Sequence, residues 1–439
     1  MLARRGALVV AVLSLAPGCK SQTADLCPPK CSGVNLGARD LSGAKYHGAT
    51  LNKARLSRSN LTGADLSGAN LIGADLSEAI LTDANLRGAT LIGANLRNVR
   101  MVGAELSDAN LQGVDLTGAV LTRVQFQETK LTAAILDQTR LVGADLRGVQ
   151  LEGNQLIGAD LRGANLSSAN MAGSNLTGAR MGGTDLRMAD LSGAMLGGAI
   201  LDGAKMSMVQ LGGADLQGAS LVGTDLRRAD LSGANLRGAS LSGTSLDEAN
   251  LSRAFLAGSF LSGAVLTGAN LSNAVLAAVV ATDKGDVLLA ARLGGTSLSR
   301  TNWAGAYLAG THFTGADLRS ASMAGARLRD TVKINGVSVV LTANFSATTV
   351  DEGSGWPPGF DGKSPAPPHP SPIPSKEDPS PPSSSSPPAG LPTVGSASPI
   401  SPAPSGSAPT TSAAAPASAA AAPAASSAPG VPKKIRPKK

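Results

Sequence analysis

The sequence has few of the side chains that usually fill or activate a globular protein. Of its 439 residues, 2% are aromatic, three are histidine and three are cysteine. A globule of this length normally packs large rings at its centre, so the interior here must be filled by aliphatic and small residues. The scarcity of histidine and cysteine gives no basis for a Ser–His–Asp or Cys–His catalytic arrangement. We therefore expect no enzyme, no cofactor and no metal site.

Charged residues make up only 16% of the chain, and the formal net charge of +7 is unevenly placed. Residues 1–31 carry four basic groups and one acidic group, and residues 351–439 carry seven and five. The segment 32–350 holds 27 basic and 25 acidic groups, so it is close to neutral. Because this segment lacks a basic stripe and aromatic stacking platforms, we expect it to bind no nucleic acid.

The first residues indicate an export signal. Arg4 and Arg5 precede a ten-residue apolar stretch, which is too short to span a bilayer, so a signal peptide over 1–18 is favoured over a membrane anchor. The segment ending at Cys19 resembles a bacterial lipobox, although Pro17 is atypical there. The resemblance implies that Cys19 receives lipid and anchors the chain to a membrane. Plain secretion and an ordinary cytosolic N-terminus remain the alternatives.

Residues 19–33 are predicted as an N-terminal linker or cap that contains the other two cysteines, Cys27 and Cys31. An exported chain enters an oxidising compartment, so a local disulfide between them is the first interpretation. Only three residues separate the two cysteines and bridging geometry is demanding, so free thiols remain an alternative. A metal site would need further Cys or His ligands that the sequence does not supply.

A five-residue period runs through most of the chain. From Leu36 to Leu276 every fifth residue is large and apolar, at 49 positions of which 43 are Leu. The residue two before each centre is small, and it is Ala at 33 of these positions. Gly is frequent at the last position of the unit, which suits a chain that turns every five residues. The period matches neither an α-helix nor a long flat strand.

Units such as 64–68 (Ala-Asp-Leu-Ser-Gly) and 234–238 (Ala-Asn-Leu-Arg-Gly) resemble the A-(D/N)-L-x-x pattern of the pentapeptide-repeat family. The resemblance implies an all-β fold, a right-handed quadrilateral parallel β-helix that forms a solenoid. If one unit makes one side of a square, four units close a coil in which Leu and the small residue point inward. Stacked coils then pair as parallel strands about 4.8 Å apart.

Breaks in the register divide this region. After Leu276 the next clear centre is Leu293, and two short apolar segments around a Gly-containing turn lie between them. Further on, Asn335 and Gly336 give the signal of a tight hairpin. The predicted boundaries are 34–278 for the first repeat block, 279–290 for an inserted hairpin, 291–330 for a second block and 331–361 for a C-terminal cap.

Residues 362–439 are rich in Pro, Ser and Ala and cannot bury a core, so we expect a disordered tail. The tail ends in five cationic side chains, namely Lys433, Lys434, Arg436, Lys438 and Lys439. A mobile cationic end would be attracted to anionic lipid headgroups or to an anionic cell-wall polymer. The alternative is that these charges only keep the tail soluble.

The repeat is irregular between Leu121 and Leu156. Phe126 replaces a central Leu, Asn154 takes a small inward position, and Gly is missing from four successive unit ends. An inward Asn154 would need hydrogen-bond partners, because an unpaired buried amide costs about 1–3 kcal/mol. Local drift explains the irregularity, and a polar interaction patch is the alternative. The residues that would form this patch are Arg123, Gln125, Gln127, Glu128, Lys130, Gln138 and Arg140.

These features predict an exported, lipid-anchored scaffold or protein-interaction surface in the bacterial cell envelope, with a protein partner that the sequence does not identify. The alternative, implied by the family resemblance, is a cytosolic DNA-mimic that binds DNA gyrase or another topoisomerase. Such a mimic needs a strongly negative surface stripe. Here acidic and basic residues instead flank the same central Leu at 40-residue intervals, as Asp145 with Arg147, Asp185 with Arg187 and Asp225 with Arg227.

Overall fold

The computed structural model describes residues 30–282 and 285–357, so the predicted signal peptide and tail lie outside the described residues. Within this part the chain forms a β-helix of stacked four-sided coils. Each residue just before a central Leu forms a parallel β-bridge with the residue 20 positions further on, as Asp65 does with Asn85. Four such ladders define the faces: face 1 from Lys30 to Gly355, face 2 from Asn35 to Arg327, face 3 from Asp40 to Asn344 and face 4 from Lys45 to Thr349.

Each five-residue unit supplies one side and one corner of a coil. In a representative unit, the Leu61 N–H donates to the Ile80 carbonyl of the next coil at 2.7 Å. The Ala64 N–H closes the corner by donating to the Leu61 carbonyl at 3.0 Å. Between them Gly63 has a φ of 62°, which residues with a Cβ rarely adopt. The turn geometry therefore explains why Gly recurs at the end of the unit.

The axis of the β-helix is filled by side chains. Every large residue at the 49 central positions from Leu36 to Leu276 is at most 3% exposed. The small residues two positions earlier are buried with them, except near the N-terminal end of the ladder. Each buried Leu-sized side chain contributes about 1.5–3 kcal/mol before ordering costs. The predicted inward and outward assignment is therefore confirmed, and the solenoid with it.

Fewer residues pair between neighbouring coils than predicted. Each face contributes one bridged residue per coil, because two corner residues follow every central Leu. Among the described residues, extended strands occur only in two antiparallel hairpins. The first pairs β1 (Ala277–Thr282) with β2 (Gly285–Ala290), and the second pairs β3 (Arg329–Ile334) with β4 (Val337–Thr342).

Both hairpins leave the β-helix at the corner between face 2 and face 3. Across each of them the ladder of face 3 steps by 32 residues instead of 20, from Phe260 to Arg292 and from His312 to Asn344. Each hairpin therefore adds twelve residues without changing which positions pair. The first begins at Ala277, two residues before the predicted insertion.

The segment predicted as a separate C-terminal cap, 331–361, is built differently. It begins inside the second hairpin, and the chain then returns to the coil. Asn344, Thr349 and Gly355 continue the ladders of faces 3, 4 and 1. Residues 358–361 lie outside the described part of the chain.

Aromatic rings fill the C-terminal end of the core. The Phe345 ring stacks on Phe313 with centroids 4.8 Å apart, and Trp356 packs edge-on against Phe345 at 5.4 Å. Trp303 meets the other side of Phe313 at 5.6 Å. Four rings thus take over the core positions that Leu holds elsewhere, at the C-terminal end of the described coils.

Candidate interaction surfaces

The filled axis confines candidate sites to the outer faces. A shallow depression of about 450 Å³ on face 1 is lined by Ser232, Gly233, Asn250, Ser252, Arg253, Asn270, Ser272 and Asn273. Its amides already bond to one another, since Asn270 Nδ2 donates to Asn250 Oδ1 at 3.2 Å and Asn250 Nδ2 donates to Asp230 Oδ1 at 2.9 Å. The lining contains no histidine or cysteine, so this surface offers no nucleophile–base pair.

Histidines and metal-ligating clusters give no site in the part of the chain that the structure describes. His47 and His312 are exposed, and His47 Nδ1 lies 2.8 Å from Ser67 Oγ. His369 lies outside the described residues. Across 30–282 and 285–357, no three His, Cys, Asp or Glu side chains are grouped so that they could hold a metal ion. The same residues include no helix that is long and apolar enough to cross a membrane.

Cys31 is the only one of the three cysteines in the described part. Its side chain is buried and disulfide-bonded. Cys27 and Cys19 lie outside the described residues, so the pairing of Cys27 with Cys31 and the lipidation of Cys19 stay predictions. The five cationic residues at the end of the tail also lie outside this part.

The irregular coil, residues 121–140, keeps the ladders but differs at its corners. All four of its corner positions with positive φ are occupied by residues that carry a Cβ. They are Arg123, Glu128, Ala133 and Gln138, with φ between 56° and 58°. The left-handed region costs such residues about 1–2 kcal/mol relative to Gly. This coil therefore carries more backbone strain than the glycine-rich coils beside it.

Pairing between the irregular coil and the next one is also incomplete. On face 4, the Glu128 N–H has no backbone acceptor, whereas the equivalent Gly148 N–H donates to Ser167 O at 3.0 Å. The N–H groups of Leu131, Ala133, Gln150 and Gln155 likewise lack the backbone bonds made at equivalent positions elsewhere, and the Gln125 N–H lacks its bond to the coil before. The loosened contacts coincide with Phe126, whose ring is larger than the Leu it replaces.

Two polar side chains in the inward positions of this region bond to the backbone of the coil before, whereas Thr139 Oγ1 donates within its own coil to Leu136 O at 2.7 Å. Thr129 Oγ1 donates to Leu106 O at 2.8 Å, and Asn154 Nδ2 donates to Leu131 O at 2.8 Å. The Asn154 Oδ1 atom is buried and has no partner. The requirement of Asn154 for buried partners is thus met at the amide nitrogen and unmet at the oxygen.

The residues predicted as one interaction patch lie around all four sides of the coil. Gln125, Gln127 and Glu128 lie on face 4 and its following corner, while Lys130 lies on face 1 and Gln138 lies at the corner after face 2. Arg123, Gln138 and Arg140 form a second group, on or next to face 3. Residues that are close in sequence diverge because each five-residue step moves the chain to the next face.

Face 4 carries a row of acid–base forks. In each, an Arg two residues after an Asp donates Nε and Nη2 to both carboxylate oxygens, as Arg187 does to Asp185 at 2.9 and 2.6 Å. These hydrogen bonds are the main cause that lowers the pKa of Asp185 below its ordinary value. The same arrangement lowers the pKa of Asp145 and Asp225. The forks neutralise the charges on face 4, as the Asp and Arg residues that flank the same central Leu predict.

Face 3 is different, because the near-neutral total charge of the segment is not evenly distributed over its faces. Its ladder holds Arg100, Arg140 and Arg180 on alternate coils, and all three side chains are exposed. Arg123 lies at the adjoining corner between faces 3 and 4. None of the four forms a salt bridge with a described residue. The signal that sequence reasoning missed was the 40-residue spacing of Arg100, Arg140 and Arg180, although the same spacing was noted for the Asp–Arg pairs of face 4.

The two hairpins contact each other beside the β-helix. Asp286 and Asn335 exchange hydrogen bonds, each backbone N–H donating to the other side chain at 2.7 Å. The corner at Gly310 lies between the hairpins, where an added Cβ would lie 3.4 Å from Leu288 Cδ2 and 3.7 Å from Leu341 Cδ1. Val287 and Val337 are exposed, at 44% and 63%. The two hairpins thus pack together beside the β-helix and expose valines as well as charged residues such as Arg329 and Lys333.

The coil architecture, the filled axis and the five-residue unit define a repeat solenoid, and comparison with known families agrees. The profile of pentapeptide repeats matches residues 30–68, 59–98, 69–108, 100–138, 136–167, 169–207, 210–247, 244–278 and 291–330. These segments make up more than half of the chain. The chain therefore belongs to the pentapeptide repeat family.

Solved structures of other family members are similar to parts of the chain. HetL, a pentapeptide repeat protein involved in heterocyst differentiation regulation from the cyanobacterium Nostoc sp. strain PCC 7120, is 38% identical. That match covers 49% of this chain and 88% of HetL, with a TM-score of 0.28. Rfr23 from the cyanobacterium Cyanothece 51142 is 32% identical over 24% of this chain and 82% of its own, with a TM-score of 0.21.

QnrB1, a plasmid-mediated fluoroquinolone resistance protein, is 19% identical over 50% of this chain and 90% of its own length, with a TM-score of 0.21. A comparison with curated protein sequences gives no match. At this identity the likeness to QnrB1 concerns the repeat fold and does not extend to its activity.

Proposed function

We propose that the protein is a non-enzymatic scaffold of the bacterial cell envelope, whose β-helix serves as a rigid spacer and interaction surface. The observation that supports this best is the filled axis, in which every central side chain of the first block is at most 3% exposed. A solid core leaves no cleft in which a substrate could be enclosed, and a cleft is the usual setting of an active site. Stacked repeats also resist bending, because each coil is held by its neighbours.

Export and lipid anchoring are the second part of the proposal. They are supported by the sequence alone, through the charged and apolar segments of 1–18 and the lipobox-like residues before Cys19. An anchor at Cys19 would place the described β-helix, which begins at Lys30, close to a membrane surface. The cationic tail would then have anionic lipid or polymer within reach.

Metabolic labelling with a fatty acid tests the anchor. We expect the wild-type chain to incorporate label and to partition into detergent, and Cys19→Ala to abolish both. Cys27→Ala is the matched control, because it removes a nearby cysteine that does not follow the apolar stretch. A mature N-terminus at a residue other than 19 would refute lipidation.

Fractionation separates this proposal from the alternative, a cytosolic DNA-mimic. Recovery of the intact, uncleaved chain from the cytosol would overturn the envelope assignment. The neutral forks of face 4 and the arginines of face 3 also favour the envelope scaffold, because a DNA-mimic requires an extended negative surface.

A further inference from the structure

Face 3 carries a row of exposed arginines. This row, called the row on face 3, consists of Arg100, Arg123, Arg140 and Arg180. The ladder of this face runs Arg100, Val120, Arg140, Asp160, Arg180. Arg100, Arg140 and Arg180 thus lie on alternate coils, about 10 Å apart if neighbouring coils are spaced like strands. All four members of the row are exposed.

The one carboxylate on this stretch of the ladder is already occupied. Asp160 accepts Arg162 Nε at 2.7 Å and Arg162 Nη2 at 2.7 Å. Those bonds are the main cause of its lowered pKa, and the charge of Arg180 lowers the pKa further. Asp137, at the corner on the other side of Arg140, accepts the Ile157 N–H at 2.8 Å. Asp83 and Asp202 lie at the corner between faces 3 and 4, one coil before the first and one coil after the last arginine of the row.

Face 4 has arginines at the same spacing, but each is paired with an Asp. Arg147, Arg187 and Arg227 also lie on alternate coils, and their side chains are 55%, 54% and 59% exposed. Each is forked to an Asp two residues earlier. The row on face 3 therefore has guanidinium groups that form no salt bridge with a described residue, spaced along the axis, where face 4 has neutral pairs.

We propose that the row on face 3 binds a linear, carboxylated polysaccharide lying along the axis of the β-helix. An extended pyranose chain advances by about one coil spacing per sugar, and in a ribbon-like chain alternate sugars present their carboxylates on the same side. Alternate carboxylates would then meet arginines on alternate coils. The planar guanidinium fork matches a carboxylate in a bidentate geometry, which a lysine ammonium does not.

The ladder positions between Arg100 and Arg180 contain no aromatic side chain, so this surface lacks the stacking platform by which proteins hold single-stranded nucleic acid. The choice of a polysaccharide over an intracellular polyanion also rests on the proposed export. The binding test uses purified protein, so its outcome is independent of fractionation, and a failure of one proposal is distinguishable from a failure of the other.

The test compares two triple variants of the full-length chain. The first is Arg100→Gln/Arg140→Gln/Arg180→Gln on face 3. The second is Arg147→Gln/Arg187→Gln/Arg227→Gln on face 4, which removes the same charge at the same spacing and leaves the tail unchanged. The probe is fluorescent polymannuronate, a linear β-1,4-linked polyuronate, with a neutral β-1,4-glucan oligomer as the uncharged control. Thermal melting of both variants checks that they fold.

We expect the face 3 variant to bind polymannuronate about tenfold more weakly than wild type, with most of the salt dependence lost. The face 4 variant should bind nearly like wild type, since the three carboxylates that it exposes lie on another side. Equal weakening of both variants, or no binding by wild type, would overturn the proposal. Tighter wild-type binding to single-stranded DNA or to anionic vesicles, lost in the face 3 variant, would overturn the ligand class.

Discussion

The irregular coil, residues 121–140, and a regular coil such as 201–220 share their core and differ at their corners. In both, the central side chains are buried to within 1% and the four ladders are unbroken. The regular coil has Gly at three of its four corners, whereas the irregular coil has none. The irregular coil also lacks several backbone bonds to its successor. The buried Leu positions thus fix the register of the chain, while the corners determine how much strain each coil carries.

The largest effect is expected from breaking a regular coil at its centre. Leu166 is fully buried, so Leu166→Asp would place an unpaired carboxylate on the axis and should cost about 4 kcal/mol or more. Ser167→Asp, one residue later at the surface, should be tolerated. Chemical denaturation of both variants measures this difference. Equal losses would show that the inward and outward positions are wrongly assigned.

The next effect concerns the unpaired Asn154 Oδ1 atom. Asn154→Thr should keep a donor to Leu131 O, as Thr184 does to Leu161 O at 2.9 Å, and should remove the orphan acceptor. We expect a gain of about 1–2 kcal/mol. The reverse change in a regular coil, Thr184→Asn, should lose a similar amount. Denaturation midpoints that move in the same direction for both variants would contradict this explanation.

Corner strain should give a smaller effect. Ala133 and Gly153 occupy the same corner on successive coils, with φ of 58° and 65°. Ala133→Gly relieves the left-handed strain and should stabilise by about 0.5–1 kcal/mol, after allowing for the greater freedom of Gly in the unfolded chain. Gly153→Ala should destabilise by about 1 kcal/mol, although an added Cβ there has no close neighbour. If Gly153→Ala is neutral, backbone strain does not distinguish the two coils.

The smallest effect is expected from the face 4 forks, which are exposed to solvent. The folded-state pKa of Asp145, Asp185 and Asp225 is lowered mainly by their Arg hydrogen bonds, so the stabilisation is present above the ordinary pKa of about 4. It is lost as the pH falls through the lowered values. Arg147→Gln/Arg187→Gln/Arg227→Gln should therefore lower the melting temperature slightly at neutral pH, and the difference should shrink as the pH falls below about 4. The face 3 triple variant provides the control, because its arginines form no salt bridge with a described residue. A pH-independent difference would show that the forks do not act through carboxylate charge.

Much of this fold could be predicted because one side chain type marks one position. Leu at every fifth residue sets the axis, and Gly marks the left-handed corner. The Asn335-Gly336 turn also has the geometry its dipeptide predicts, with positive φ at both residues. The positions of the core, of the corners and of this turn depend on residues close together in the sequence, so they can be predicted from the sequence alone.

The rest depends on residues that meet only after a full coil. The predicted patch assumed that Arg123 and Lys130 lie together, yet face 4 and the corner after it separate them. Conversely, Arg100 and Arg140 lie on one face although 39 residues separate them in sequence. The loss of backbone bonds around Phe126 follows from packing between coils, which the repeat pattern does not encode. The row on face 3 therefore became visible only once the ladders were known.

The two hairpins, each of which adds twelve residues to the ladder step, show that the corner between faces 2 and 3 tolerates extra sequence. The Leu276 N–H donates to Tyr307 O in the next coil at 3.0 Å. The Ala291 N–H, just after the hairpin, donates to Leu276 O, just before it, at 2.8 Å, so the two ends of the insertion are hydrogen-bonded to each other. A segment that enters and leaves at one point changes neither the rise nor the pairing of the coils around it. Such a corner is a natural place for new binding loops to be gained, exchanged or engineered while the supporting structure stays constant.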